Sequence, residues 1–206
     1  MKFSIDNLAL SDAEGRAVAG IDAAFEQGRV TVVLGPAGSG KALLLRALAG
    51  QHDVDAGQVR LNGRLIGRLS RAERAKAVAL VGSGRRGLFA GKLPELPGAL
   101  AARPHWLLVE DPLSALDPLT QFARIAQLRD AARQGMGVVV TLADPVLAAR
   151  LADDVLLLGG GKALAFGPAA EALGHQKLRE AFGIEVMMIG DASGRLLPVP
   201  IGYATQ

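Results

Sequence analysis

The chain has no cysteine and only three histidines in 206 residues. The first absence excludes disulfides, thiolate zinc sites, iron–sulfur clusters and cysteine nucleophiles. The second leaves little imidazole for acid–base or metal chemistry. His52 and His175 read as solvated surface residues. His105 comes just before the strand-like WLLVE, at the end remote from where a parallel sheet binds ligands. Long apolar runs are also missing. The richest stretch, GVVVTLADPVLAARLADDVLLLGGG, is broken by Asp144, Pro145, Arg150, Asp153 and Asp154, and never reaches the ~18 residues that span a bilayer. Asp6 interrupts MKFSIDNLAL, so the N-terminus does not read as a signal peptide. The net charge of +3, with arginines interspersed among acids, gives no basis for nucleic acid as a partner. No repeat, linker or low-complexity tract is visible. These absences predict a protein that is not membrane-spanning, from a reducing compartment, with a cytoplasmic location.

What is present suffices for one well-buried domain: half the residues are apolar and 21% are charged. Strand-like and helical runs alternate. VTVVLG (Val30 to Gly35) is a β-branched run of the kind buried on both faces. Lys41 to Ala49 are strong helix formers stopped by Gly50. QVRLNG ends in an Asn-Gly hairpin turn, and Ser70 to Glu73 form a capping-box pattern. AVALVG, WLLVE, VVVTL and VLLLG read as further strands, and VMMIGDASGRLLPVP as a hairpin closed by Asp191 to Gly194. Asp117 and Pro118 open a helix in which Leu119, Phe122 and Ala126, with Ile125, Leu128 and Ala132, recur at core-facing spacing. The alternation predicts an α/β fold, a mostly parallel sheet with flanking helices and a small N-terminal antiparallel β layer in the first 30 residues.

Between strand and helix lies GPAGSGKA: Gly35, Pro36, Ala37, Gly38, Ser39, Gly40, Lys41 and Ala42, followed by Leu43. Glycines there let successive N–H groups point at phosphate, the helix start adds partial positive charge, and Lys41 would reach the β- and γ-phosphates. The plain alternative is a glycine-rich turn before an ordinary helix. The pattern wants a hydroxyl after the lysine, to ligate Mg²⁺. Ala42 has none, although a water could fill that position.

Trp106-Leu-Leu-Val-Glu-Asp-Pro-Leu-Ser-Ala-Leu-Asp117 is more specific. It resembles the Walker B strand and D-loop of ABC transporter ATPases, here Glu110, Asp111 and then Ser114, Ala115, Leu116, Asp117. The segments from Gly57 to Val81, from Thr141 to Leu173 and from Ala181 to Pro200 are similar to other parts of that family in the same order. The last is similar to the tail of importers for iron–siderophore, haem and cobalamin. The resemblance implies a P-loop NTPase (RecA-like) fold over residues 1–206. It implies ATP and Mg²⁺ as cofactors, bound by Gly35 to Leu43, with Glu110 and Asp111 as catalytic acids, Glu110 being the Mg²⁺-side acid. It implies a membrane permease as partner, at the cytoplasmic face of the membrane.

The departures bear on activity. The family's acids run Asp then Glu; here the order is swapped. Ala143 stands where the family has its switch histidine, and Gly82-Ser83 where it has the Q-loop glutamine. No aromatic in Asn7 to Ala19 matches the one that stacks on adenine. The interval of about 82–105 is too short for the family's helical subdomain and signature, so that subdomain is expected to be truncated. Phosphoryl transfer depends on positioning, and shifts of about 1 Å can cost on the order of 100-fold. The sequence therefore predicts weak or absent hydrolysis, with Mg²⁺ weakly held. An intact ATPase subunit is the expected complement. The alternatives are a catalytically inactive regulatory or structural protein of the same fold and, as a minor option, a P-loop kinase.

Overall fold

The computed structural model describes residues 2–15, 17–82 and 95–204. Residues 83–94, half of the interval 82–105, lie outside the described residues, and with them Ser83 of the Q-loop position and half of the segment expected to be a truncated subdomain.

The chain opens with two long antiparallel strands, β1 (Lys2–Ser11) and β2 (Ala17–Glu26), then β3 (Val30–Leu34), buried at every residue. Helix α1 (Lys41–Leu48) follows the glycine loop. Strands β4 (Ala56–Leu61) and β5 (Arg64–Leu65) pair across Asn62 and Gly63, whose φ values of 51° and 77° are those a two-residue hairpin requires. Helix α2 (Arg71–Ala77) starts in a complete capping box. The Ser70 N–H donates to Glu73 Oε2 at 2.8 Å and the Glu73 N–H to Ser70 Oγ at 3.2 Å. The Ser70 N–H, helped by Arg64 and the Ser70 hydroxyl, holds the Glu73 carboxyl down to about 2.

Strand β6 (Val78–Val81), helix α3 (Leu96–Ala101) and strand β7 (Trp106–Glu110) come next. Helix α4 (Pro118–Arg133) is capped by Asp117, whose carboxylate accepts from the Thr120 N–H at 3.1 Å. It is followed by β8 (Gly137–Leu142), α5 (Pro145–Leu151), β9 (Asp154–Gly159) and β10 (Lys162–Pro168). Helices α6 (Ala169–Ala172) and α7 (His175–Phe182) lead into the terminal hairpin β11 (Ile184–Gly190) and β12 (Leu196–Tyr203).

The sheet runs β5-β4-β1-β2-β10-β9-β3-β8-β7-β6. Its β9-β3-β8-β7-β6 half is parallel, and its β5-β4-β1-β2 half is antiparallel. Alternate residues of the parallel strands feed two separate cores. Val32, Leu107, Val140 and Leu157 face α3 to α7, while Val33, Leu108, Val139 and Leu156 face α1 and the antiparallel strands.

One expectation needs correction. Leu119, Phe122 and Ala126 are not part of the core stripe of α4; the first two are 80% and 54% exposed, and Ala126 is exposed as well. The buried stripe is Ile125, Leu128, Ala131 and Ala132. A helix of 16 residues is about 24 Å long, whereas strands of five or six residues span about 17–20 Å, so the first turns of α4 overrun the sheet. Phe122 instead carries the Arg150 guanidinium 5.3 Å from its ring centroid.

Trp106 is fully buried, with Phe3 edge-on at 4.8 Å and Gly137 as its register partner on β8. A Cβ on Gly137 would lie 2.4 Å from the indole ring. Gly98, on the exposed side of α3, meets nothing within 4 Å. The two glycines should therefore respond oppositely to the same change. Gly137→Ala should destabilise the fold by about 1–3 kcal/mol, and Gly98→Ala should stabilise it by about 0.5–1 kcal/mol. Chemical denaturation of both variants checks the contrast.

Candidate phosphate site at the carboxyl ends of the strands

Strands β3, β8 and β7 are adjacent and parallel, so their carboxyl ends open on one rim. Three chain segments converge there: the loop Gly35 to Lys41 after β3, the acids Glu110 and Asp111 at the end of β7, and Thr141 to Ala143 at the end of β8. Glu110 and Thr141 are register partners, and the Gly35 N–H donates to the Leu142 carbonyl at 3.3 Å.

The loop's shape requires its glycines. A Cβ on Gly35 would sit 2.6 Å from both the Leu158 carbonyl oxygen and Ser39 Oγ. Gly40 has φ 89° and stands against Val18 of β2, whose Cβ would be 2.8 Å from an added Cβ. Gly38, at φ 79°, opens onto free space. Positive φ at alternate residues turns backbone N–H groups toward a common centre, the geometry that receives phosphate oxygens. Ser39 is buried, and its N–H closes a turn on the Pro36 carbonyl at 3.3 Å. Ala37 is exposed, while Pro36 and Ala42, the latter in the first turn of α1, are half-buried. Leu43 is 3% exposed and packs into the core under α1, so only its backbone faces the loop.

Lys41 folds back into the loop. Its ammonium donates to the Gly35 and Pro36 carbonyls at 2.7 and 2.6 Å and to Ser39 Oγ at 3.4 Å. Burial pushes its pKa down, against the opposing field of Asp111. That field places Asp111 within electrostatic reach of the lysine.

Asp111 has φ 43°, a left-handed conformation that Asp tolerates better than most residues. Two groups hold it. Its N–H donates to Thr141 Oγ1 at 3.1 Å, and its Oδ2 accepts from the Ser114 hydroxyl at 2.6 Å. The sharp turn after Glu110 separates the two acids: Glu110 ends the strand, and Asp111 is tied to the segment Ser114 to Asp117. Within that segment Leu116 packs against the core and Asp117 caps α4. Thr141 escaped the sequence reading. Its one signal was a hydroxyl at the end of the otherwise apolar run VVVTL.

The residues present fit a phosphate group: a glycine cradle, a helix start and the half-buried Lys41 ammonium. They fit a divalent ion less fully. Glu110 and Asp111 are the acids at hand, Ala42 offers no hydroxyl, and no cluster of three or more His, Asp or Glu side chains that could hold a metal exists among the described residues. Among those residues no helix is long and apolar enough to cross a membrane.

Comparison with known proteins agrees with this geometry. The family model described as ABC transporter matches residues 18–133. The hemin import ATP-binding protein HmuV of Pseudomonas fluorescens is 30% identical, over 88% of this chain and 92% of that one. Its namesake in Bordetella avium is 27% identical over 90% and 93%. In the first alignment 236 positions span 88% of a 206-residue chain, about 181 residues, so about 55 positions of the relative have no counterpart here. A solved metal-chelate type ABC transporter in an inward-facing conformation superposes with a TM-score of 0.74 at 20% identity, covering 97% of each chain. Part of the cbiONQ complex, cbiO1 of Clostridium perfringens, gives 0.70 at 16% identity over 85% and 92%. At those identities the structures establish the fold, that of a P-loop NTPase.

The Thr141 contact is open to a direct check. Thr141→Val is close to isosteric but leaves the Asp111 N–H unpaired. It should cost about 1–3 kcal/mol of stability and speed amide exchange at Asp111. Exchange followed by NMR, alongside denaturation, reads both effects.

Proposed function

The chain belongs to the ABC transporter family, whose model covers more than half of it, and on that premise we propose that it is the ATP-binding subunit of an importer of hemin or metal-chelate type, with weak or no hydrolysis of its own. The observation that carries this is the contrast at the rim. The parts that hold phosphate are present: the glycine cradle and Lys41, with the segment Ser114 to Asp117 alongside. The parts that would time and drive hydrolysis are altered: Ala42, the swapped Glu110 and Asp111, and Ala143. The hemin-import relatives support the cargo class, and the metal-chelate transporter supports the same reading at the level of fold.

In this reading Gly35 to Leu43 bind the phosphates of ATP through backbone N–H groups. Lys41 exchanges its bonds to the Gly35 and Pro36 carbonyls for phosphate oxygens. Bound ATP supplies binding energy and a transferable phosphoryl group. Mg²⁺ would rest on phosphate oxygens, waters and Glu110, since it takes few protein ligands. Asp111, held by Ser114 and Thr141, would be the acid on the side of the attacking water, with a side chain one methylene shorter than glutamate. The shortfall of about 55 aligned positions supports a truncated helical subdomain around 82–105. Such a chain would sit at the cytoplasmic face of the membrane on a permease, with an intact ATPase subunit supplying the missing elements.

The same shortfall favours one second reading, a catalytically inactive nucleotide-binding regulatory or structural protein that no longer docks on a permease. Calorimetric titration with ATP, with and without Mg²⁺, addresses the first step. The chain should bind ATP with little change on adding Mg²⁺. Lys41→Ala should weaken binding at least about 30-fold, the loss of one partner of a buried charge pair. Ala42→Ser should restore a dependence on Mg²⁺. A turnover of about 1 s⁻¹ or more that disappears in Lys41→Ala would overturn the claim of weak hydrolysis. Failure to bind ATP under either condition would leave the structural reading. Co-purification with a permease separates the importer from the regulator.

A further inference from the structure

At the end of the strands opposite the phosphate loop, three connections meet around a cavity of about 440 Å³. They are the β2–β3 turn at Gln27, the link from α3 to β7 at Arg103 to His105, and the α4–β8 turn at Gln134 to Met136. Bonds between these connections fix its floor. The Gly28 N–H donates to the Met136 carbonyl at 3.0 Å, and the Gly137 N–H to the His105 carbonyl at 2.9 Å. The Gln27 side-chain amide donates to that same His105 carbonyl at 3.0 Å. Pro104 and Met136, both buried, add an apolar lining. Strand β7 has five residues, so the cavity lies about 17 Å from the acids at the rim.

The other lining side chains are polar and unengaged. Arg103, His105 and Gln134 are exposed, and none of the three has a side-chain hydrogen bond or ion pair among the described residues. No carboxylate lines the cavity. The acids nearby in sequence are Glu26 and Asp130, and Asp130 is paired with Arg133 at 2.8 Å. Gly135, at φ 95°, leaves the mouth open, since a Cβ there would meet nothing within 4 Å. Arg103 is held in an uncommon conformation. It follows α3 with φ 46°, its N–H closing the helix on the Leu100 carbonyl at 3.1 Å. Every other left-handed position among the described residues is Gly, Asn or Asp. Glycine is the usual residue at this place after a helix, because a Cβ strains it. Strain kept where glycine would relieve it points to a use for the side chain.

We infer that this cavity is a binding site for a small hydroxylated organic anion, a phosphate monoester or a hydroxy acid, with Arg103 holding the anionic group. A guanidinium presents a planar fork that matches two oxygens of a phosphate or carboxylate at once. No acid within the cavity competes for it. The volume lies in the range of small-molecule sites, about 300–1,000 Å³, and leaves room for a body beyond the anionic group. The Gln134 amide and the His105 ring each offer hydrogen-bonding groups to hydroxyls on that body. Pro104 and Met136 take its carbon skeleton. Because the three connections are bonded to one another, the floor is in place before a ligand arrives. The site shares no residue with Gly35 to Leu43, Glu110 to Asp117 or Thr141, so it is independent of the function proposed above.

NMR titrations of the full chain with ribose 5-phosphate and with citrate, at constant ionic strength, test this, and the pair tells phosphate from carboxylate recognition. At least one probe should move the His105 ring and Gln134 side-chain amide signals to saturation. It should bind at least about tenfold more tightly than inorganic phosphate, since its body adds hydrogen bonds of its own. Arg103→Gln should weaken that binding at least about tenfold, through loss of the charged bonds. Arg103→Gly should weaken it as much while raising the unfolding midpoint by about 2–4 °C, as the strain is released. Lys41→Ala should leave the His105 and Gln134 shifts in place, which separates this site from the phosphate loop. Signals at His105 and Gln134 that respond to both probes no more than to sodium chloride would overturn the proposal. So would shifts confined to the amides of Gly38 to Lys41, or binding that Arg103→Gln leaves unchanged.

Discussion

Everything in this fold follows from one parallel ladder, β9-β3-β8-β7, whose residues are buried almost without exception. A parallel sheet has no solvent face, so both sides must be covered, and its crossovers must return each strand in the same direction. The first demand draws α1 and the antiparallel strands to one face and α3 to α7 to the other. The second gathers the carboxyl ends of β3, β8 and β7 on one rim. Loops of three different parts of the chain meet there because the ladder leaves them no other place. The Trp106–Gly137 contact shows how little slack the ladder has: the indole fits beside β8 because its register partner has no side chain.

At the rim the electrostatics is a balance struck within the protein itself. Lys41 is half-buried, and it satisfies its donors on the carbonyls of its own loop. Asp111 stabilises that charge from a distance while its carboxylate is bonded to Ser114. An incoming phosphate competes with backbone carbonyls, not with water, for the ammonium. Exchange of this kind keeps the cost of burial constant, since the lysine is desolvated before and after. The two halves of the proposed site place different demands on the chain. The cradle depends on backbone conformation and one cation, whereas a divalent ion needs ligands of fixed type and direction.

The strands were legible because their residues are β-branched runs bounded by glycine, and the hairpin and caps because Asn62-Gly63, Ser70 with Glu73, and Asp117-Pro118 act locally. The family was legible from Trp106 to Asp117, with further segments similar to it in the same order. The errors arose where length or long-range contact decides. Spacing put Leu119 and Phe122 on the stripe of α4, but spacing does not know where the sheet ends, and the helix outruns it. Thr141 reads as one more residue of a buried strand. Its contact with Asp111, 30 positions away, exists only because β7 and β8 are neighbours.

The rim is also tied to the far end of the chain. The terminal hairpin is clamped to α5 by Arg195, which donates to the Ala149 and Arg150 carbonyls, and to α7 by Glu185, which pairs with His175 and Arg179. Helix α5 follows β8 at Ala143, so the clamp and the rim are joined by a single helix of seven residues.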